Sequence, residues 1–351
     1  MRPVTFYGVF GRRNAIPIVC NELAHGLLSF RDLHVHPIDN DYHCATKAEL
    51  EYFFTDKVDP EAIAVLHGFP GQVMSLTGRH AVCVGGFVAD GSPVGVLQAY
   101  TAGQQTRAIY LPSIWSQEAY RASGYEKPMA VVPHGVAAEY TPREKHVRGP
   151  VLQLGMNCFS ATVWHRKALP ETLRAMKYLK HKAHLTLKVG AANVNSVFTI
   201  LATERMDPSD VTIDTTDDMK YFDLCAWLHR FDAILQPSRC EGAGMVGKEA
   251  LAAGVPFVGT FDTGHADYLP TPGAVRVPTV GWVRAKAYGV GMEAGYPDVR
   301  FDDIMRAVEE LEDTYEEVEA AARGNAAEFA EAHSWKAMAE RLHNFLLEVE
   351  T

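Results

Sequence analysis

The sequence predicts an α/β protein of two doubly wound domains, each a parallel sheet covered by helices on both faces. Three observations carry this prediction. Short apolar runs alternate with helical patterns along the chain, as βαβ units do. The alternation breaks once, at 133–150, where a polar stretch holds three prolines and two glycines and reads as a linker. The length, 351 residues, exceeds one ordinary core at roughly 100–200 residues per domain.

Before the break, the strand-like runs are VTFYGVF (4–10), LHVHPI (33–38), AIAVLH (62–67), HAVCVGGF (80–87), RAIYLP (107–112) and MAVVP (129–133). Helical patterns lie between them at AIPIVCNELAHGLL (15–28) and SIWSQEAYRASG (113–124), with Gly124 as the natural stop of the second. After the break the strands are VLQLGM (151–156), HLTLKVG (184–190), VTID (211–214), DAILQPS (232–238), VPFVGT (255–260) and AVRVP (274–278). Helices are expected at 169–180, 217–230 and 245–254, and the chain ends in two helical segments opening at Phe301 and Ser334. In such sheets ligands bind beyond the carboxyl ends of the strands, and pockets often form between domains.

Composition narrows the function. A formal net charge of −10 repels polyanions and weighs against a simple nucleic-acid or anionic-membrane binder. The charge is uneven. Residues 146–200 carry eight Lys/Arg and one acid, Glu171, whereas 301–351 carry four Lys/Arg and fourteen acids. The basic stretch can meet phosphate; the acidic one reads as solvated helix surface. Six cysteines show no C-x-x-C spacing, so they read as free thiols, several of them buried. MRPVTFYGVF is not a secretory signal, and no apolar run reaches about 18 residues. The expected location is cytoplasmic, in a bacterium or a phage-infected host, with no integral membrane association.

The stretch CEGAGMVGKEALAAGVP (240–256) holds Glu241 and Glu249, eight residues apart, with glycines between and around them. It follows a strand and enters a helix. Gly242 and Gly244, around Ala243, let the backbone approach a ligand closely, and the helix N-terminus near Met245 offers free N–H groups to an anion. Glu241 faces the same place from the turn, and Glu249, about a turn into the helix, can meet ligand hydroxyls. From spacing alone, a tight turn followed by an exposed helix Glu remains the alternative.

The whole run DAILQPSRCEGAGMVGKEALAAGVPFVGT (232–260) resembles the E-x7-E signature of family-4 retaining glycosyltransferases of the GT-B fold. Further similarity lies in VVPHGVAAEYTP (131–142), HRKALPETLRAM (165–176), TFDTGHADYL (260–269) and AHSWKAMAERLHNFL (332–346). The resemblance implies two Rossmann-like domains facing a cleft. The first, acceptor-side domain would span 1–145, joined by the terminal helix at about 335–351; the nucleotide-sugar-binding domain would span 146–334.

The resemblance also implies roles. Glu241 would lie by the donor sugar, as a catalytic residue, and Glu249 would hold the nucleotide ribose. Breaking a sugar–diphosphate bond builds negative charge on the leaving group, which fixed cations and N–H groups stabilise. Arg166 and Lys167 fit that task, with Gly242, Ala243, Gly244 and Met245, and with Gly11 and Arg12 of YGVFGRRNAIP closing the other side. Solvated helix-start charge is the plainer reading of Arg166 and Lys167. No metal and no cofactor are expected; the donor would be a UDP- or GDP-type sugar. On the acceptor side, Asp90 of GGFVADGSPVG is the candidate catalytic contact to a hydroxyl, with Ser92 in the same segment and His67 offered by LHGFPG. Gly85 or Gly86 stands where many relatives have His. His134 reads as structural, and Trp164, beside the Arg-Lys pair, as a cleft residue. The expected function is a retaining, metal-independent glycosyltransferase acting on a hydroxyl acceptor. Three alternatives stand beside it: an acceptor that is a hydroxylated base in DNA, a sugar-nucleotide epimerase, and a non-catalytic sugar-nucleotide binder.

Overall fold

The computed structural model describes residues 1–10, 15–38, 53–55, 57–76, 78–89, 92, 94, 96–158, 164–216, 221, 223–286 and 293–350. The chain forms two compact units, Met1–Gly135 with His333–Thr351, and Val136–Ala332. Each is built on a parallel six-stranded sheet.

In the first unit, β1 (Val4–Gly8), β2 (Leu33–Pro37), β3 (Ile63–His67), β4 (Val82–Gly86), β5 (Ala108–Leu111) and β6 (Met129–Val131) run in the order β2-β1-β3-β4-β5-β6. The strand order turns back at β1, which pairs in parallel with both β2 and β3. Every residue of β1, β3 and β5 is buried, as expected of strands covered on both faces, and this is why they read as continuous apolar runs. Helices α1 (Ala15–Leu27), α2 (Val96–Gln105) and α3 (Ile114–Ala122) complete the crossovers described. Ser113 caps α3, its hydroxyl accepting from Ser116 N.

In the second unit, β7 (Leu152–Asn157), β8 (Ala183–Lys188), β9 (Val211–Asp214), β10 (Ala233–Gln236), β11 (Phe257–Gly259) and β12 (Ala274–Arg276) run in the order β12-β11-β10-β7-β8-β9. The order reverses between β7 and β10, the switch point at which doubly wound sheets bind ligands. Helices α4 (Leu169–Leu179), α5 (Val194–Thr203), α6 (Asp223–Leu228), α7 (Met245–Ala252) and α8 (Phe301–Ala332) belong to this unit. Its core joins β7, β8, α4 and α8 through residues such as Leu154, Leu173, Leu185 and Leu311, all fully buried.

Several features differ from the sequence expectation. The 133–150 stretch is no free linker: Val136, Ala137 and Tyr140 are buried. Arg143 donates to Phe231 O and from its backbone N to Ala253 O (3.0 Å), and His146 Nε2 meets Asp232 Oδ1 at 2.9 Å. Residues 136–145, put with the first domain from sequence, therefore pack in the second unit. Helices α2 and α5 and an antiparallel hairpin of β13 (Trp282–Lys286) and β14 (Glu293–Pro297) were not expected. Helix α9 (Trp335–Glu350) packs on α1 in the first unit. The five described cysteines are free, four of them buried. No helix of the described residues is long and apolar enough to cross a membrane.

Candidate active site

The second sheet's switch point sets two loops side by side, one after β7 and one after β10. Gln236, the last residue of β10, bridges them: its Oε1 accepts from Asn157 N at 3.2 Å. Arg239 extends the bridge. Its backbone N donates to Arg166 O (2.7 Å), and its guanidinium donates to His165 O (2.8 Å), to both oxygens of Glu171 (2.8 and 3.2 Å) and to Val299 O (3.2 Å). A planar five-donor fork suits such a junction, and a lysine could not make it. Glu171 stands in the first turn of α4, where a carboxylate also complements the helix dipole. Ala168, before α4, takes a left-handed φ of 53°, and Pro170 starts the helix. That sharp entry turns Arg166 and Lys167 toward the neighbouring loop.

They converge on Glu241. Lys167 Nζ donates to Glu241 Oε1, and Arg166 Nη1 donates to Glu241 Oε2 at 3.2 Å and to Cys240 O at 2.8 Å. The Glu241 carboxylate is 11 % exposed, so the three charges interact with little solvent screening. Burial pushes its carboxyl up, but Lys167, Arg166 and His265 outweigh burial and hold it well below the usual carboxylate range. It is an ionised carboxylate set between two cations.

The turn that follows closes on itself. Gly244 caps α7 at a φ of +64°, in the left-handed region where glycine is unstrained. A Cβ there would also lie 2.3 Å from His265 Cδ2. Gly242 and Ala243 are buried, and Met245 opens α7 half-buried. The β11–β12 loop brackets this turn from the far side. His265 Nδ1 donates to Thr260 O at 2.9 Å, and burial lowers its pKa to about 4, so the ring is neutral with Nε2 unprotonated. Lys248 Nζ lies 5.2 Å from the centroid of the Tyr268 ring, within cation–π range.

Glu249 differs from Glu241 in every respect but residue type. It is 3 % exposed in the middle of α7. Burial pushes its carboxyl up, the nearby Tyr221 side chain offsets part of that, and the result is about 7. Tyr221 in turn packs on Tyr140 with ring centroids 5.4 Å apart. The exposed helix glutamate that spacing alone allowed does not occur.

Asp90, Gly11 and Arg12 lie outside the described residues. His67 is buried, with Nδ1 3.1 Å from Tyr110 Oη and its ring 5.7 Å from that of His134. A Cβ on Gly86 would lie 2.2 Å from Tyr110 Cζ and 2.6 Å from His67 Nδ1. The His67–Tyr110 pair thus fills the space that a larger residue at 86 would need, which accounts for the glycine there. Trp164, read from sequence as a cleft residue, is partly buried and packs against the second unit's core. Sequence reasoning missed Arg239 and Glu171. Arg239 sits two residues from Glu241 and Glu171 four from Lys167, and a bidentate partner for Arg239 has no local spacing signal.

Comparison with known proteins bears on the fold and the class. Residues 210–342 match the model of a family described as Family 4 Glycosyltransferase in conflict systems. No curated protein matches the chain. Among solved structures, sucrose-phosphate synthase from Thermosynechococcus elongatus superposes with a TM-score of 0.72 at 13 % identity, over 99 % of each chain. HepE from Anabaena, in complex with UDP and glucose, gives 0.72 at 11 % identity over 99 % of this chain and 100 % of that one. The lipopolysaccharide outer core galactosyltransferase WaaB gives 0.64 at 13 % identity over 99 % of both. The family-4-like character read from the motif, the two-domain Rossmann-like GT-B fold and the class of enzyme, glycosyltransferase, are borne out.

Proposed function

We propose that this glycosyltransferase takes its sugar from a nucleoside diphosphate, of UDP or GDP type, and transfers it to a hydroxyl acceptor with retention at the anomeric carbon. The observation that carries the reading is the convergence of Arg166, Lys167 and Glu241 at the sheet's switch point, beside the N-terminus of α7. Arg166 and Lys167 supply the positive charge that a departing diphosphate needs, and the first N–H groups of α7 add to it. In this reading the charge on the leaving group is met by these side chains and N–H groups, and no metal or cofactor is invoked. HepE, one of the structural neighbours, has been solved with UDP-glucose, which supports a UDP-type donor.

In the proposed reaction the bond from the anomeric carbon to the phosphate oxygen breaks, and its electron pair leaves with the diphosphate. The acceptor oxygen bonds to the same face, and its proton passes to a departing phosphate oxygen. Glu241, ionised across the working range, lies by the donor sugar and is the catalytic residue; Glu249 holds the ribose from within α7. Gly242, Ala243, Gly244 and Met245, with Gly11 and Arg12, contribute close backbone or charge around the donor, and Asp90 contacts the acceptor hydroxyl.

Titration of UDP and GDP into the wild type, Arg166→Ala and Lys167→Ala tests the donor site. Each loss of a cation is expected to weaken binding on the order of tenfold or more. Unchanged titrations would remove the diphosphate role. Glu241→Gln keeps the side chain's shape and removes its charge; it is expected to lose transfer while its UDP binding persists. Labelled UDP-glucose and GDP-mannose offered with glycan, lipid and hydroxymethyl-DNA acceptors then identify the acceptor class. Transfer to DNA that falls steeply with added salt would make a hydroxylated base the acceptor.

A further inference from the structure

Thr263 is one of three non-glycine residues with positive φ among the described residues, at +56°. A β-branched side chain rarely adopts that conformation, and strained backbone persists where its surroundings over-determine it. The surroundings here are the turn that carries Glu241. Thr263 Oγ1 accepts from Glu241 N at 3.0 Å, and the next residue, Gly264, donates from its N to Glu241 O at 2.7 Å. Both backbone polar groups of Glu241 are thus held by two consecutive residues of another loop. Gly264 is held as tightly in return: a Cβ there would lie 2.5 Å from Glu241 O and 2.7 Å from Gly242 O. A third tie, Tyr268 Oη to Gly244 O at 2.7 Å, fixes the far end of the same turn. The loop itself is anchored behind Thr263, where Thr279 Oγ1 donates to Asp262 Oδ2 at 3.0 Å.

We infer that Thr263 is a positioning residue for Glu241: its strained backbone and its hydroxyl together set where the Glu241 peptide, and hence its carboxylate, stands relative to Arg166 and Lys167. A glycine at 263 would adopt the same φ without strain, so backbone shape alone does not call for threonine. What threonine adds is the oxygen that accepts from Glu241 N. This inference rests on the role proposed for Glu241.

The test compares Thr263→Ser, Thr263→Ala and Thr263→Gly with the wild type and with Glu241→Gln. Turnover is read as release of nucleotide from UDP-glucose or GDP-mannose, whichever the wild type turns over faster. Thr263→Ser keeps the oxygen and is expected to stay within about twofold of wild-type kcat. Alanine and glycine lose it, and each is expected to lower kcat on the order of fivefold or more, the rate equivalent of one hydrogen bond, with donor KM little changed. Glycine relieves the positive φ that alanine does not, so Thr263→Gly is expected to melt about 2–4 °C above Thr263→Ala. Equal loss of kcat in two variants of unequal stability separates positioning from general destabilisation. Wild-type turnover in the alanine and glycine variants would overturn the inference, as would a serine variant as poor as alanine. If Glu241→Gln itself keeps full turnover, the reading of Glu241 falls; if it is inactive while the alanine and glycine variants match wild type, only the positioning role falls.

Discussion

Glu241 and Glu249 are the same residue type eight positions apart, and their surroundings push them in opposite directions. The cations beside Glu241 keep it ionised, so its contribution to stability is present above the ordinary glutamate range and is lost as pH falls below it. Glu249 has only Tyr221 against its burial, and its pKa rises from 4.5 to about 7. The sign is therefore reversed for Glu249. The native state keeps a proton that the unfolded chain releases near 4.5, so this group's contribution falls as pH rises from there through about 7. The cost of ionising it in place amounts to about 3 kcal/mol by pH 8. Glu249→Gln stays neutral and is expected to lose that slope. Urea denaturation of both proteins at pH 5, 6, 7 and 8 measures it; parallel curves for the two would rule out Glu249 as the source. A ribose held by this group would meet a carboxyl poised near neutrality, the reverse of the permanent anion at Glu241.

At the scale of elements, the sequence was readable wherever one buried strand or one amphipathic helix sufficed to produce the pattern. Each strand expected of the two parallel sheets has its counterpart, from Val4–Gly8 to Ala274–Arg276, because strands buried on both faces must be apolar throughout. Helix Val96–Gln105 was not legible, since VLQAYTAGQQ carries a glycine and few large apolar residues. Val194–Thr203 is rich in β-branched residues that spacing rules assign to strands. Of the candidate site, Glu241, Arg166 and Lys167 were legible through the motif and through their chemistry. The residues that join the two loops were not, because Arg239 and Glu171 are 68 positions apart and only the switch point brings them together. Their pairing has a measurable weight. Arg239→Lys keeps the charge but cannot reach His165 O, Val299 O and both Glu171 oxygens at once. The loss is expected to be on the order of 1–3 kcal/mol, accompanied by weaker UDP binding as the start of α4 loosens. A lysine variant with wild-type melting temperature and UDP affinity would show that the junction does not depend on the fork.

For the whole molecule, the decisive feature is that the first unit is not contiguous in sequence: residues 1–135 are completed by 333–351. The contact is made at close quarters. A Cβ on Gly26 would lie 2.4 Å from Ala339 Cβ, and one on Gly135 would lie 2.8 Å from Trp335. Glycine at 26 lets α1 and α9 approach backbone to small side chain, and the seam is then closed by polar contacts. Arg31 Nε donates to His343 Nδ1 at 3.0 Å and its Nη1 to Glu350, with Phe30 stacked on His343 at 5.2 Å. Arg31 is buried, so its partners at the chain's end matter more than surface ion pairs do. Gly26→Val would force Ala339 away and is expected to cost about 1–3 kcal/mol through overpacking. The effect should be local to the first unit. Amide hydrogen exchange is expected to quicken in Ala15–Leu27 and Trp335–Glu350, while the buried strands Leu152–Asn157 and Ala233–Gln236 of the second unit keep their protection. If exchange quickened equally in both sheets, the two units would unfold as one, and the terminal helix would be a clasp on the whole molecule instead of the last piece of its first unit.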